Sequence, residues 1–268
     1  METERIFKKE IMKIAITGVT GFVGQNLARY LSDIDILGIS REAKGINITY
    51  PELSLNIFNK QKSDKPILLY RNLTKPNFNQ IVNEQVLNSK KKIVYAGLLG
   101  FAQGVFNICK NIDFKSLDIE FHVFGDGIEK SLIENFIQQN SECNIFLNQT
   151  ITKDEMQKKL LSYDATIIPL TKNIYGAFPS KITMAMAAGL PIFFSGDGEG
   201  FKIVDEFNLG YVSEAGNLNT LEKNIIEFSR LNHQQINLMK LNIMNVVEKD
   251  FNYVDQQSKL CKFISSLI

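Results

Sequence analysis

The chain has 268 residues, 44% hydrophobic and 22% charged, which is ordinary globular usage and excludes fibrous or wholly disordered classes. Thirty Lys and Arg against 29 Asp and Glu leave a net charge of +1, and only five of those cations are Arg, so no long-range field is available to gather nucleic acid. Three scattered cysteines (Cys109, Cys143, Cys261) and two isolated histidines (His122, His233) fit a reducing compartment and give no metal-ligand spacing.

No run approaches eighteen consecutive apolar residues, and the charged start METERIFKKEI lacks the apolar core of a signal peptide. The expected location is therefore the cytoplasm.

Along the chain, Lys13–Thr17 reads as a strand, Gly18–Gly24 as a turn, Phe22–Leu31 as a helix and Ile34–Ile39 as a second strand. From Arg41 to Lys92 the pattern weakens. Pro51, Pro66 and Pro76 punctuate it, leaving a strand at 67–70 and a helix near 78–88 inside a junction. After Lys92 a regular rhythm returns. Strands are predicted at 93–97, 120–124, 144–147, 165–170 and 191–195, with helices at 104–112, 129–139, 153–161, 180–188 and 200–207. Three further helices follow, the first over 218–231. This alternation predicts an α/β fold, a Rossmann-like parallel sheet flanked by helices, behind a small, incomplete βαβ lobe. The resulting division is 1–45, a junction over 46–91, and 92–268. His122 and Cys143 sit in apolar strand-like contexts and read as core, and Lys90–Lys92 reads as a solvated linker.

The segment Thr17-Gly-Val-Thr-Gly-Phe-Val-Gly24 puts three glycines at three-residue intervals between a strand and a helix. Backbone without Cβ atoms admits a phosphate, and free N–H groups at a helix start hold it. The stretch resembles the nucleotide-binding beginning of extended short-chain dehydrogenases/reductases, the epimerase and dehydratase family. That resemblance implies an NAD(P) site at Gly18, Thr20, Gly21, Phe22, Val23 and Gly24, with Arg41 at the position that reads the adenosine ribose or its phosphate. It covers only the first fifty residues or so, and no Tyr in the chain has the Lys four residues on that the family's chemistry needs. Oxidoreductase activity is not expected.

Four βα loops in the second region carry small or polar residues where strands end. They are Gly97-Leu-Leu-Gly100-Phe-Ala-Gln103-Gly104; Gly125-Asp126-Gly127; the stretch from Pro169 through Lys172 to Ser180-Lys181; and Ser195-Gly196-Asp197-Gly198-Glu199-Gly200-Phe201-Lys202. In an open parallel sheet such loops share the ligand-binding edge. Gly196, Gly198 and Gly200 open amides at a helix start, Ser180 can cap its helix, and Lys181 offers a point charge to phosphate.

The order of these stretches, YAGLLGFAQG, FHVFGDG, ATIIPL, FPSKITMAMAAGLPIFFS and GEGFKIVDEFNLGYV, resembles the C-terminal, nucleotide-sugar-binding domain of GT-B glycosyltransferases of the family-4 type. The resemblance implies transfer from a UDP- or GDP-sugar to a saccharide or lipid-linked acceptor in bacterial surface polysaccharide synthesis, with no metal or other cofactor required. It also implies work at the inner face of the membrane, and a homo-oligomer is compatible with it. Gly97, Gly100, Gln103, Gly104, Gly125, Asp126, Lys172, Ser180, Lys181, Gly198, Glu199, Gly200 and Lys202 become the candidate donor-site residues, with Lys181 and Glu199 as catalytic candidates. Two departures stand out. The family's paired Glu fall here at Gly176 and Met184, and its Arg/Lys pair falls near Leu99 and Gln103, so diphosphate charge rests on Lys172, Lys181 or Lys202 and on amides. The family's N-terminal lobe has no recognisable counterpart, so the expected enzyme is at least the donor-binding half; the alternatives are an NAD(P)-binding epimerase- or reductase-like relic and a truncated fusion without catalytic activity.

Overall fold

The computed structural model describes residues 13–17, 35–39, 73–76, 90–172 and 180–265. Two compact units emerge, Leu73–Tyr253 and a second made of Met1–Asn72 with Val254–Ile268.

In the second unit, β1 (Lys13–Thr17) pairs in parallel with β2 (Asp35–Ile39), Lys13 opposite Asp35 and Thr17 opposite Ile39. Parallel neighbours need a crossover between them, so the strand–turn–helix–strand expectation is met at both of its strands. The glycine loop between them, including Gly18, Thr20, Gly21, Phe22, Val23 and Gly24, lies outside the described residues, as do Arg41 and the predicted elements at 67–70 and 78–88. The last helix, α8 (Tyr253–Ser265), falls almost wholly in this unit rather than with the stretch that precedes it.

The unit Leu73–Tyr253 is a six-stranded parallel sheet. Its chain order is β3 (Lys91–Ala96), α1 (Val105–Asn111), β4 (Ile119–Phe124), α2 (Lys130–Gln139), β5 (Ile145–Asn148), α3 (Lys153–Lys159), β6 (Ala165–Pro169), α4 (Ser180–Ala187), β7 (Ile192–Ser195), α5 (Gly198–Glu206), β8 (Gly210–Ser213), α6 (Leu218–Ser229) and α7 (His233–Lys249). The strands lie side by side in the order β5-β4-β3-β6-β7-β8. Winding runs outward from β3 through β4 to β5, then restarts at β6 and runs the other way. The crevice between β3 and β6 is thus the topological switch point, where such sheets bind ligands.

The apolar strands bury alternate residues on opposite faces, as a period of two requires. Ile93, Tyr95, Phe121, Val123 and Phe193 pack with Ile108, Ile133, Ile225 and Phe228 of α1, α2 and α6. Val94, Phe124, Ile168, Ile192 and Phe194 face Met156, Ile182, Met186, Ile243 and Val247 of α3, α4 and α7. At the amino ends of the strands a buried pair fastens α7. Lys240 donates to the Tyr163 carbonyl at 2.8 Å and stands 3.7 Å from Asp164, whose other oxygen accepts from the Lys92 N–H at 2.8 Å.

Three expectations are corrected here. Lys91 and Lys92 are not linker residues: they open β3, and the Lys91 ammonium donates to the Ser229 carbonyl at 2.7 Å. His122 is not core. It is half-buried toward the β5 edge, its ring stacked on Phe146 at 4.9 Å and its Nε2 3.1 Å from Glu120; burial lowers its pKa despite that carboxylate. Cys143 is likewise only half-buried, packed against the core from outside. A sixth strand, β8, was not predicted, because Gly-Tyr-Val-Ser is short, polar at both ends and lies at the sheet edge.

Candidate functional site

Because every strand of this sheet is parallel, the four loops singled out above leave the same edge, and they follow β4, β3, β6 and β7, four neighbours in the sheet. Backbone hydrogen bonds hold the first two together beyond the strand ends. Gly97 N–H donates to the Phe124 carbonyl at 2.8 Å, Leu99 N–H to Asp126 at 2.9 Å and Glu129 N–H to Leu99 at 3.0 Å. Such close approach is possible only without side chains. A Cβ on Gly125 would stand 1.9 Å from the Gly97 carbonyl oxygen, and one on Gly127 would stand 2.3 Å from that of Leu99.

Across the switch point, Thr171 joins the β6 loop to the β3 loop. Its N–H donates to the Ala102 carbonyl at 2.9 Å and its hydroxyl to Phe101 at 3.0 Å, while its methyl occupies the space a Cβ on Gly104 would need. Gly104 is left-handed (φ 62°) and precedes α1, whose first turn is met from outside the loop by Glu129: the Phe106 N–H donates to its carboxylate at 3.3 Å. Gly100 and Gln103 form the turn between, and Gln103 Oε1 is buried with no hydrogen-bond partner among the described residues. Asp126 is exposed and lies 3.6 Å from Lys130.

Lys181, in the first turn of α4, reaches across the end of the sheet. Its ammonium lies 4.6 Å from the centre of the Tyr95 ring and donates to the Tyr95 hydroxyl at 3.3 Å. A Cβ on Gly97 would stand 2.3 Å from Nζ, so the cation rests directly on the glycine backbone. Tyr95 in turn donates to the Leu98 carbonyl. Burial lowers the Lys181 pKa to about 8, so the group is mostly charged at neutral pH and held with no carboxylate against it among the described residues. Burial, and then Glu129, keep the Tyr95 phenol protonated far above neutrality.

The β7 loop has a different logic. Gly196 and Gly200 are small because the Phe194 ring fills the space beside them, at 2.7 and 2.9 Å from their ideal Cβ positions, and Gly200 also meets Ile182 of α4. Gly198 faces open space at φ 74°, and its N–H is taken by the Asp197 carboxylate at 2.8 Å, which caps α5. Glu199 is half-buried on α5, and Lys202 is exposed one turn on. Lys172 and Ser180 are exposed; Ser180 is the first residue of α4, and Gly176 lies outside the described residues.

The structure thus gathers Gly97, Gly100, Gln103, Gly104, Gly125, Asp126 and Lys181 around the switch point, with Gly198, Glu199, Gly200 and Lys202 on the neighbouring helix. Tyr95, Glu129 and Thr171 escaped sequence reasoning. Tyr95 and Thr171 act on partners 86 and 70 residues away, and no spacing reveals that. Glu129 carried a signal, a carboxylate at the start of a helix directly behind a glycine loop. Among the described residues no group of three or more His, Cys, Asp or Glu is placed to hold a metal ion, and no helix is long and apolar enough to cross a membrane.

Comparison with known proteins bears on this geometry. The family model "Glycosyl transferases group 1" matches residues 77–240, more than half of the chain. Among solved structures, TarM of S. aureus (a point mutant in complex with fondaparinux, alpha-GlcNAc-glycerol and UDP) superposes with a TM-score of 0.60 at 19% identity, over 80% of this chain and 43% of that one. The lipopolysaccharide outer core galactosyltransferase WaaB gives 0.61 at 16%, over 96% and 75%. The C-terminal domain of the group 1 family protein LpcC from Francisella tularensis gives 0.52 at 15%, over 67% of this chain and 96% of that domain. The chain spans about half the length of TarM. No curated protein matches the sequence. These comparisons lend no support to an epimerase-like beginning over residues 1–45.

Proposed function

Since the chain belongs to the group 1 glycosyl transferases, of GT-B fold, we propose that its Leu73–Tyr253 unit binds the diphosphate of a nucleotide-sugar donor at the β3/β6 switch point and supports transfer of the sugar. The observation that carries this reading is the Lys181 ammonium, held on the Gly97 backbone at that crevice with no acidic partner among the described residues. A sugar departing from its diphosphate leaves charge on the phosphate oxygens, and a fixed cation in a partly desolvated place stabilises that charge most. Lys181 is the residue assigned to it. Lys172 and Lys202 lie on the flanking loop and helix as further cations, and Glu199 is the carboxylate assigned to a sugar hydroxyl. Gly97 and Gly104 make room for Lys181 and Thr171, and with Gly100 they shape the β3 loop that the ligand would meet. Gln103 offers a buried carbonyl with no donor among the described residues, suited to a ribose or sugar hydroxyl.

UDP in the TarM complex favours a nucleoside diphosphate as the leaving group. We take the acceptor to be a saccharide or a lipid-linked saccharide, a reading supported by the likeness to WaaB, a lipopolysaccharide outer core galactosyltransferase; work in the cytoplasm at the inner face of the membrane, and self-association, belong to the same proposal. Isothermal titration with UDP, GDP and their sugars tests the reading. Micromolar to millimolar binding, lost in Lys181→Met, is the expected result; no binding at millimolar concentration removes it.

The parallel pairing of β1 and β2 favours one second reading, a nucleotide-binding beginning at Gly18–Gly24 with Arg41. It requires a thermal shift with NAD(H) or NADP(H) that Gly21→Asp abolishes.

A further inference from the structure

The Lys181 side chain crosses from one face of the sheet to the other. It starts on α4, whose Ile182 and Met186 pack with one layer of the core, yet its ammonium ends on Tyr95, which belongs to the opposite layer. That path exists only past the end of the sheet, between β3 and β6, where neither strand blocks it. A lysine with four rotatable bonds would not hold that position unaided.

We infer that Tyr95 is the positioning residue of the donor-diphosphate site: its ring and hydroxyl hold the Lys181 ammonium over the Gly97 backbone and at the same time fix the Leu98 carbonyl of the β3 loop. Tyr95 is fully buried, so its ring cannot turn aside. Its oxygen accepts from Lys181 and its hydrogen goes to Leu98, which uses the hydroxyl in both directions. The ring face beneath the cation adds an attraction that needs no counter-charge. Among the described residues the ammonium is thereby kept in place without a carboxylate, which would compete with an incoming phosphate. Tyr95 does not itself touch the ligand in this arrangement; it acts through Lys181 and the loop.

The inference rests on the donor reading above, and one set of titrations on the full chain separates the two. The ligands are UDP and GDP, with uridine and guanosine as controls lacking the diphosphate. The proteins are the wild type, Tyr95→Phe, Lys181→Met and the double variant. Tyr95→Phe keeps the ring and the packing. It is expected to weaken the binding of the diphosphate by about 5- to 10-fold, of the net size of one ordinary hydrogen bond, and to leave the nucleoside unchanged. Lys181→Met is expected to weaken it by about 10- to 100-fold. The double variant should bind only slightly more weakly than Lys181→Met alone, well short of additivity, because Tyr95 then has only the Leu98 carbonyl left to hold. Equal diphosphate affinity in Tyr95→Phe and wild type overturns the inference. So does a parallel loss of nucleoside binding, or full additivity in the double variant, since both mark general damage. Wild-type protein that binds neither diphosphate takes the donor reading down first and the inference with it.

Discussion

The two halves of the carboxyl edge look alike in sequence, each a strand followed by glycines at two-residue spacing, and they are built on opposite principles. After β4, Gly125 and Gly127 are required by backbone: the β3 loop lies so close that a methyl group would meet carbonyl oxygens at 1.9 and 2.3 Å. After β7, Gly196 and Gly200 are required by the ring of Phe194, and Gly198 by its own left-handed turn. In the first half, small residues join two loops into one wall. In the second they accommodate a core side chain, and the helix start behind them is already occupied by the Asp197 carboxylate. A glycine pattern therefore marks close approach without saying what approaches. In the half carrying Lys181 that closeness comes with a cation that has no carboxylate against it among the described residues.

Substitutions separate these cases. Gly125→Ala has no cheap relief, because the atom it meets is the Gly97 carbonyl oxygen, in backbone that the Gly97 and Leu99 N–H groups fasten to Phe124 and Asp126. It is expected to cost about 3 kcal/mol or more by chemical denaturation, beyond ordinary overpacking, and to disorder the β3 loop with it. Lys181→Met comes next. The folded-state pKa of about 8 lies below the ordinary 10.5, so between those values the unfolded chain holds the proton and the folded one does not. Wild-type stability therefore gains from this group as pH rises from about 8 to 10.5, relative to the variant, by something on the order of 2 kcal/mol. Denaturation curves of the two proteins at about pH 7 and about pH 10 check it; a constant difference would show the ammonium to be solvated. Gly200→Ala is the mildest. Its methyl meets the far ends of Phe194 and Ile182 at 2.9 and 3.0 Å, and the helix gains from losing a glycine. A net change within about 1 kcal/mol is expected, and a loss as large as that of Gly125→Ala would erase the distinction between the two halves.

Most of the sheet was legible because it depends on local alternation. Val94, Phe121, Ile167 and Phe193 lie in apolar runs bounded by glycine or proline, and each run became a strand. The loops were legible for the same reason: glycines at strand ends have few other uses. What escaped is whatever depends on distant residues or on a charge in an unusual place. Tyr95 lies inside the predicted strand 93–97, and nothing beside it announces a lysine 86 positions later. Lys91 and Lys92 looked like solvent-facing chain because three adjacent cations normally are. In the fold one reaches a helix-end carbonyl, and the amide of the other is fixed by Asp164.

The ladder from Gly97 to Glu129 has one more consequence. It continues the pairing of β3 with β4 for several residues after both strands have ended, so this stretch of rim inherits the stiffness of the sheet. A molecule landing there meets a surface already assembled when the chain folded. Association on that side then resembles laying an object on a shelf, with little of the loop-freezing entropy that slows and weakens recognition by floppy segments.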